Sequence, residues 1–368
     1  QPSQSRMETM LHLNLPYITA DMPGVGGRLR LKDEYFIVEE LPLYNPVGDG
    51  RHLYVNLTKK GLTTIEVQHR LAELFNLNPR DIGYAGLKDK HAFATQTFSI
   101  PLENGDEKII EHIIEHVRKS IPVTVNWARL HRNKLRPGHL LGNRFRVTIT
   151  DLNVTAGEAE CRAKAIVEKL KVYGVPNFFG PQRFGFQGDN IIKGMNIVRG
   201  RLRVKDKWLR RFLISSYQSY LCNLYLTRRI ESGLFYKILA GDIAKKYSTG
   251  GMFIVEDAER EQLRYDRQEI SFTAPIYGSK MWMAGGPAGE FESEILREAG
   301  VTLDMFDQVK VEGTRRLGRL SLHDLQVEIE GSNLVVSFTL PKGAFATSVL
   351  REIMKTEPEA MRCSLASS

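Results

Sequence analysis

A single acidic residue lies between two lysines in the segment GYAGLKDKHAFATQ, residues 83–96. Asp89 stands between Lys88 and Lys90, three residues after Gly86. A carboxylate can act as a covalent nucleophile if it is ionised and correctly oriented, and neighbouring positive charge favours the ionised form. The glycine permits unusual backbone angles or the close approach of a substrate. Most Lys-Asp-Lys triplets are nevertheless solvated turns, so this fragment alone indicates catalysis only weakly.

Positive charge is concentrated in two further segments of the chain. The sequence contains 51 Lys and Arg residues against 43 Asp and Glu, a net charge of +8. Residues 127–150 include six Lys or Arg and no acid, and residues 199–211 include seven against the single Asp206. One such run is usually a solvated face, but two runs beside aromatic residues are typical of proteins that bind a phosphate backbone.

Several common catalytic motifs are absent from the sequence. It contains no GxxxxGK(S/T) loop for ATP, no GxGxxG for a dinucleotide, no HExxH for zinc and no GxSxG for a serine nucleophile. The nine histidines lack metal-ligand spacing, and His91 and Asp89 are not arranged as an obvious acid–base pair. We therefore expect no metal and no cofactor, so that any catalysis comes from side chains alone.

The bulk sequence predicts a cytoplasmic protein. Its 368 residues are enough for two domains and include no apolar run of ~18 residues that would indicate a membrane span. The first ten residues lack the apolar region of a signal peptide. Three widely spaced cysteines, Cys161, Cys222 and Cys363, give no disulfide framework and favour a reducing compartment. Nothing indicates an obligate assembly, so we expect a monomer.

Hydrophobic periodicity predicts a mixture of strands and helices. Strands are expected over 28–41, 52–58, 93–100, 123–130, 143–150, 320–331 and 333–341. Helices are expected over 64–75, 107–119, 156–174, 207–233 and 344–354. After Gly174 the sequence becomes rich in Gly, Phe and Asn, and residues 241–253 and 283–291 lack a clear pattern. This predicts an α+β core in two pieces, before about 175 and after about 320, with a more helical insert between them.

The segment around Asp89 resembles the AGxKDxxAxTxQ motif of the TruD family of tRNA pseudouridine synthases. Five other segments resemble the same family in the same order: YFIVEE (35–40), GNRFRVTI (142–149), VPNFFGPQRFG (175–185), EISFTAPIYGS (269–279) and LPKGAFATSVLRE (340–352). The resemblance runs from about Arg28 to Glu352, nearly the whole chain. Each motif alone would be poor support, but together they are highly specific.

The resemblance implies an enzyme that isomerises a uridine in tRNA, usually at position 13, to pseudouridine without a cofactor. The N-glycosidic bond breaks, the base turns over, and a carbon–carbon bond forms at C5. By similarity Asp89 is the catalytic aspartate, which would either attack the nucleoside or abstract a sugar proton toward a glycal. A uridine in folded RNA must first be flipped into a pocket that stacks and hydrogen-bonds the base.

The resemblance also implies roles for other residues. The uridine pocket would be lined by Phe36, Asn143, Phe145 and Phe345, where an amide can read the uracil edge and a ring can stack on it. An isolated Phe would be read as core packing instead. Supporting roles fall to Arg30, Glu40 and Gln96, with Glu40 orienting Arg30. Candidate RNA contacts are Lys88, Lys90, Arg132, Lys134, Arg136 and Arg183, although Arg183 also fits a structural role.

Two positions depart from the family pattern. The family's threonine five residues after the aspartate corresponds to Ala94, and the threonine here is Thr95, one residue later, while Gln96 is in register. A lysine in bacterial relatives aligns with Arg30, so the charge is kept but the geometry of the group differs.

The fold that the resemblance implies is the pseudouridine-synthase fold, circularly permuted. It has a mixed, largely antiparallel sheet with flanking helices. Residues 1–174 and 321–368 would form the catalytic domain, and residues 175–320 a family-specific insertion domain. No membrane contact is expected.

Three other functions remain open from the sequence. A non-catalytic RNA-binding protein on the same scaffold would keep the basic runs and would not need Asp89. A hydrolase or transferase of small nucleosides would use the aspartate but would not need the basic runs. An RNA methyltransferase fits least, because a glycine-rich methyl-donor loop is missing.

Overall fold

The computed structural model describes residues 11–356, in which the chain forms two compact units. The sheet unit contains Met22–Lys171, Leu322–Ala346 and residues 353–356. The insert unit contains residues 11–21, Val172–Ser321 and Thr347–Glu352. The division of function between 1–174 with 321–368 and 175–320 stays a prediction. Cys161 and Cys222 are free cysteines, and Cys363 lies outside the described residues.

Strands and helices alternate along the described chain. The strands are β1 (Gly26–Arg28), β2 (Phe36–Pro42), β3 (His52–Lys59), β4 (Gly83–Tyr84), β5 (Phe93–Pro101), β6 (Thr124–His131), β7 (Leu140–Leu152), β8 (Val175–Pro176), β9 (Ile243–Lys246), β10 (Met252–Ile254), β11 (Ile270–Ile276), β12 (Thr314–Leu317), β13 (Arg319–Leu320), β14 (Gln326–Glu330) and β15 (Asn333–Pro341). The helices are α1 (Thr64–Leu74), α2 (Glu107–Ser120), α3 (Ala156–Tyr173), α4 (Asp189–Val198), α5 (Lys207–Glu231), α6 (Ala258–Asp266), α7 (Gly286–Ala299), α8 (Leu303–Gln308) and α9 (Thr347–Met354).

A nine-stranded sheet dominates the sheet unit. Seven strands follow the order β14-β15-β7-β2-β5-β3-β6, while β1 pairs with β7 and β4 with β5. Every pairing is antiparallel except that of β2 with β5. The sheet is therefore mixed and largely antiparallel, as predicted. Its central strands, β7 and β2, carry the segments GNRFRVTI and FIVEE.

Two helices of the sheet unit begin at side-chain caps and bury one apolar face. Thr63 caps α1 in a capping box with Glu66, and Asp106 caps α2 by accepting a hydrogen bond from Ile109 N. A core cluster joins these helices to the sheet; it includes Val67, Leu71, Val117, Leu53, Val55, Leu57, Phe98 and Ile100. Burial of these apolar side chains fixes the end of β3 and the start of α1. Lys59 and Thr64, at these two ends, hold the Asp89 segment through hydrogen bonds.

The insert unit is itself a mixed structure. Its four-stranded sheet has the order β10-β9-β11-β12, and β13 pairs with β8. The helix α5 has 25 residues and lies against β11. The prediction of a more helical insert was incomplete, because the two segments without a clear pattern are also regular: Ile243–Lys246 and Met252–Ile254 form the hairpin β9–β10, and Gly286–Ala299 forms α7. Polar and glycine-rich strands at the edge of a small sheet carry little alternating signal.

No helix among residues 11–356 is long and apolar enough to span a membrane.

Candidate active site

The sheet register brings four of the predicted site residues, Phe36, Glu40, Asn143 and Phe145, onto one face. Glu40 of β2 lies opposite Asn143 of β7, and Phe338 of β15 lies opposite Phe145 of β7. Directly opposite residues share a face, and positions two apart on a strand do so as well. Asn143 and Phe145 therefore lie on the same side, as predicted. The intervening residues on the other side are Arg144 and Arg146.

Asp89 forms an ion pair with Arg30, which lies 59 positions earlier in the chain. Arg30 Nη2 donates a hydrogen bond to Asp89 Oδ2 over 2.7 Å. The Asp89 side chain stays 57% exposed, and within residues 11–356 no group donates a hydrogen bond to its other oxygen, Oδ1. The carboxylate is thus held at one oxygen and open at the other. Lys90, expected to flank it with charge, lies 3.5 Å from Glu66 instead.

Arg30 is held in a strained position by its neighbours. Its backbone φ is 59°, in the left-handed region that a non-glycine residue adopts at a cost of about 1–2 kcal/mol. Its guanidinium carbon lies 4.0 Å from the centre of the Phe36 ring, a cation–π contact. Strained residues of this kind cluster at functional sites, where the surrounding structure fixes them. Phe36 and Asp89 together determine where the guanidinium lies.

A buried hydrogen-bond network anchors the segment that carries Asp89. Gln96 Nε2 donates to the carbonyl of Gly86 over 3.0 Å, and Gln96 Oε1 accepts from Thr64 Oγ1 over 2.8 Å. Thr64 Oγ1 in turn accepts from the backbone N–H of Lys88 over 2.8 Å. Gln96 and Thr64 are both buried. The supporting role predicted for Gln96 is consistent with these bonds, since they fix the backbone on the N-terminal side of Asp89.

Lys59 fixes the same segment from below. Its ammonium donates to the backbone carbonyls of Asp89 (3.0 Å), Lys88 (3.4 Å) and Leu62 (2.5 Å). Burial lowers the pKa of Lys59 to about 8, although the nearby Asp89 charge acts in the opposite direction. Three donors for three carbonyls is the full capacity of an ammonium group. Lys59 therefore holds the backbone of the Asp89 segment in place through these hydrogen bonds.

Glu40 and Lys88 occupy positions that differ from the predictions for them. Lys88 Nζ lies 2.9 Å from Glu40 Oε2, and both side chains are almost fully buried. Glu40 thus pairs with Lys88 and does not orient Arg30, and Lys88 is not available for contact with RNA. Gly86 has no positive φ; instead, a Cβ there would lie 3.1 Å from Lys88 Nζ and 3.5 Å from Glu40 Oε2. The glycine leaves room for the buried ion pair.

Aromatic rings form a layer beside the ion pair of Arg30 and Asp89. Phe36 packs edge-on against Phe145 with 6.0 Å between ring centres, and Phe145 stacks on Phe338 at 5.3 Å. All three rings are buried. Their packing makes Phe36 and Phe145 the floor of the site, because little of either ring is open to a ligand.

Asn143 and Phe345 are the predicted pocket residues that can still contact a ligand. Asn143 Oδ1 is buried and has no hydrogen-bond partner among the described residues. Such an orphaned acceptor is uncommon and calls for an explanation such as a ligand or water. Phe345 is 37% exposed in the loop after β15. That loop is tied to the Asp89 segment through Gly138, which accepts from Lys342 Nζ and donates to the carbonyl of Ala85.

Comparison with known proteins identifies the family. The model of the family described as tRNA pseudouridine synthase D (TruD) matches residues 12–205 and 201–353. The chain belongs to the TruD family. The resemblance predicted from the motifs is thereby confirmed over nearly the whole described chain.

Individual TruD relatives match along almost their full length. A tRNA pseudouridine synthase D of Thermus thermophilus is 43% identical over 342 residues, covering 93% of this chain and 92% of the relative. One from Anaeromyxobacter dehalogenans is 40% identical, covering 94% and 98%. A solved structure from Methanosarcina mazei, provisionally described as a TruD protein, matches with a TM-score of 0.75 and 27% identity over 93% of this chain and 96% of that one. The predicted fold class is confirmed by this match.

The one-residue offset of the TruD threonine changes the face that it occupies. Thr95 Oγ1 lies 2.8 Å from Thr58 Oγ1, its neighbour across the β3–β5 pairing. Ala94, in the family's threonine position, is fully buried opposite Lys59. Because successive strand residues point to opposite faces, the Thr95 hydroxyl lies on the side away from Gln96. The face that carries Gln96 therefore has the Ala94 methyl group, and the Thr95 hydroxyl lies on the opposite face.

The candidate RNA-binding cations differ in their exposure and in the contacts that they make within the protein. Arg132 is exposed and lies 3.5 Å from Asp49, while Lys134 donates to the Arg80 carbonyl. Arg136 is exposed and forms no ion pair within the described chain. Arg183 is partly buried, donates to Ser215 Oγ, and has its pKa lowered by burial. The structural role considered for Arg183 and the RNA contacts assigned to the other residues stay predictions.

Sequence reasoning missed Lys59 and Thr64. Lys59 continues the inward phase of Leu53, Val55 and Leu57 along β3, and a lysine in phase with three buried residues is a usable signal for a buried ammonium. Thr64, one residue after the helix cap, gave no such signal. No group of three or more His, Cys, Asp or Glu residues in the described chain is arranged to hold a metal ion.

Proposed function

We propose that this chain converts a uridine in tRNA, at position 13, to pseudouridine, with Asp89 as the catalytic carboxylate and without a cofactor. Its relatives from Thermus thermophilus and Anaeromyxobacter dehalogenans are named tRNA pseudouridine synthase D. The observation that carries the proposal is the Asp89 carboxylate, which Arg30 holds at Oδ2 while Oδ1 stays open. An oriented carboxylate with one free oxygen is what either proposed route of the reaction requires.

The two routes use the free oxygen differently. In the first, Oδ1 attacks the sugar carbon as the N-glycosidic bond breaks, and the electron pair of that bond leaves with the base. In the second, it accepts a sugar proton as the same bond breaks, which leaves a glycal. In both, the base turns over and its C5 bonds to the sugar carbon. In the first route this displaces Oδ1 and breaks its bond to the sugar, and in the second the proton taken by Asp89 returns to the sugar. The C5 hydrogen then leaves as a proton. The product is an isomer of the substrate, so no oxidant, reductant or group donor is needed.

Asn143 is suited to hold the uracil base. Its buried Oδ1 is an acceptor without a partner among the described residues, and the N3–H of uracil is a donor that would satisfy it. Leaving a buried carbonyl oxygen unpaired costs about 1–3 kcal/mol, so a base that supplies the donor gains from filling the site. An N3-methylated uridine lacks that donor and should be excluded.

The aromatic residues have separate roles in this proposal. Phe36 and Phe145, which are buried, keep Arg30 and the floor of the site in place. Phe345, which is partly exposed, supplies a ring on which a flipped base can stack. Stacking on an aromatic side chain is worth about 1–3 kcal/mol for each base. We further propose that the protein acts as a monomer in the cytoplasm, where tRNA is modified.

The test is release of tritium from tRNA labelled at C5 of uridine. The intact protein should release tritium, and Asp89→Asn should release none while still binding tRNA. Asp49→Asn is the matched control, because Asp49 is an exposed aspartate of the same unit that also lies near an arginine. Full activity of Asp89→Asn would refute the role of Asp89. Binding without release by the intact protein, for any tRNA, would refute the isomerase assignment.

A further inference from the structure

Two aromatic rings are stacked on the surface of the insert unit, at the start of α5. Trp208 and Phe212 lie one helical turn apart, with 5.5 Å between ring centres and 3° between ring planes. Trp208 is 72% exposed. One face of the indole is therefore covered by Phe212, and the other face is open. A tryptophan that stays so exposed loses the stabilisation that burial would give it.

Most of the cations in the segment that contains Trp208 form no ion pair or side-chain hydrogen bond within residues 11–356. Of the seven in residues 199–211, Arg199 and Arg210 donate to the carbonyls of Ala299 and Val309. The other five are exposed and form no ion pair within residues 11–356: Arg201, Arg203, Lys205, Lys207 and Arg211. The single acid, Asp206, accepts from Leu209 N as the helix cap. The surface around the indole is thus strongly positive without internal neutralisation.

We propose that the stack of Trp208 and Phe212 is a platform for an unpaired nucleobase of the RNA, with the five free cations holding the flanking phosphates. The inference rests on the proposed function only for naming the RNA as the tRNA substrate. A parallel pair of rings with one open face accepts any base, because every base has a π-face. Lys and Arg beside it neutralise the backbone and release counterions.

The charge pattern favours RNA over a protein partner. A protein interface of ordinary composition is depleted of charged residues at its centre, whereas this stack lies among five unpaired cations. An open indole beside clustered Lys and Arg is the arrangement by which proteins bind unstacked nucleotides. The proposal assigns the platform to RNA binding, and the described partners of Asp89 all belong to the sheet unit.

The first test measures binding of total tRNA to Trp208→Ala, with Trp282→Ala as the matched control. Trp282 is a 45% exposed tryptophan of the same unit. Trp208→Ala should raise the dissociation constant roughly 5- to 150-fold, and Trp208→Phe should recover most of the affinity. The slope of log affinity against log salt should not change in Trp208→Ala, whereas Arg203→Gln should reduce it by about 0.7–0.9 if that residue contacts a phosphate. Unchanged affinity in Trp208→Ala, or an equal loss in Trp282→Ala, overturns the proposal.

The second test uses the three tryptophans of the chain. In a variant with Trp127→Phe and Trp282→Phe, Trp208 is the only indole, and tRNA should quench its fluorescence. Absence of quenching at saturating tRNA overturns the platform. A lower mass by light scattering for Trp208→Ala than for the intact protein would also overturn it, in favour of a surface between two copies.

The proposal and the enzymatic assignment fail separately. Trp208→Ala should raise the tRNA concentration needed for half-maximal tritium release, because the change weakens binding of the substrate. If the intact protein releases tritium and Trp208→Ala binds tRNA normally, the platform is wrong and the isomerase assignment stands. If the intact protein binds tRNA through Trp208 but releases no tritium, the isomerase assignment is wrong and the platform stands.

Discussion

The two units each contain an arginine–aspartate pair, and the two pairs differ in how completely they are satisfied. In the insert unit, Arg229 donates twice to Asp242 (2.9 and 2.8 Å), and both side chains are fully buried. The same guanidinium also donates to the Tyr225 hydroxyl and to the carbonyls of Leu234 and Lys237. In the sheet unit, Arg30 makes one such bond to an exposed Asp89.

The comparison separates a pair that stabilises from a pair that is free to react. Arg229 and Asp242 have every donor matched, so either residue left alone would be an uncompensated buried charge. Asp89 contributes little to stability, because an ion pair with an exposed partner is worth about 0–1 kcal/mol. The same two residue types therefore serve opposite purposes, and solvent access to the carboxylate makes the difference.

The largest expected effect concerns the activity that depends on Asp89. Asp89→Asn should lower tritium release by at least about 1,000-fold, as removal of an essential catalytic group does. The urea midpoint of unfolding should stay within experimental error of the intact protein, because the side chain is mostly exposed. A large loss of stability in this variant would place Asp89 among the structural pairs and break the comparison.

The second expected effect concerns the stability that depends on Asp242. Asp242→Asn leaves Arg229 charged and buried, and should destabilise the insert unit by about 3–5 kcal/mol. The measurement is urea unfolding followed by tryptophan fluorescence. Glu298→Gln is the matched control, because Glu298 pairs with the neighbouring Arg228 at the surface and its loss should cost about 1 kcal/mol or less. Equal effects of the two changes would contradict the argument.

The third expected effect concerns Lys59, a buried cation whose described hydrogen-bond partners are all carbonyls. Its folded-state pKa of about 8 lies below its ordinary value of 10.5. Between these values the unfolded chain binds more protons than the folded chain, so stability rises with pH. From pH 7 to pH 10 the intact protein should gain about 2 kcal/mol relative to Lys59→Met. Parallel stability curves for the two proteins would show that the ammonium is not buried as described.

The smallest expected effect concerns the identity of the cation beside Asp89. Arg30→Lys keeps the charge and should lower kcat by less than about tenfold, whereas Arg30→Met should lower it roughly 10- to 150-fold, the range for one charged hydrogen bond. Steady-state kinetics with tRNA measures both. If Arg30→Lys is as damaging as Arg30→Met, the planar guanidinium over Phe36 is essential, and positive charge alone is not enough.

The alternation and periodicity of residues along the chain predicted the features that depend on neighbouring residues in sequence. The alternation of β7 predicted that Asn143 and Phe145 share a face, and the motif around Asp89 pointed to the family. The helical periodicity of residues 207–233 predicted α5 to within two residues.

Contacts between distant residues could not be predicted in the same way. The partner of Asp89 is 59 positions away, and Glu40 pairs with Lys88 at a separation of 48. Such pairings depend on the register between strands and on how loops return to the sheet, which periodicity within one strand does not specify. The prediction that Glu40 orients Arg30 was wrong, because Glu40 pairs with Lys88 and Arg30 pairs with Asp89. The sequence did not determine which of the two cations pairs with which of the two carboxylates.

The order of strands in the sheet also constrains the time course of folding during synthesis. One edge of β7 is completed by β15, which the ribosome produces about 180 residues later, roughly 10–40 s at ordinary elongation rates. Until then that edge has unpaired backbone groups that could capture a strand from another nascent chain. The charges of Arg144 and Arg146 discourage such capture, and Val172–Ser321, the main part of the insert unit, is synthesised within this interval.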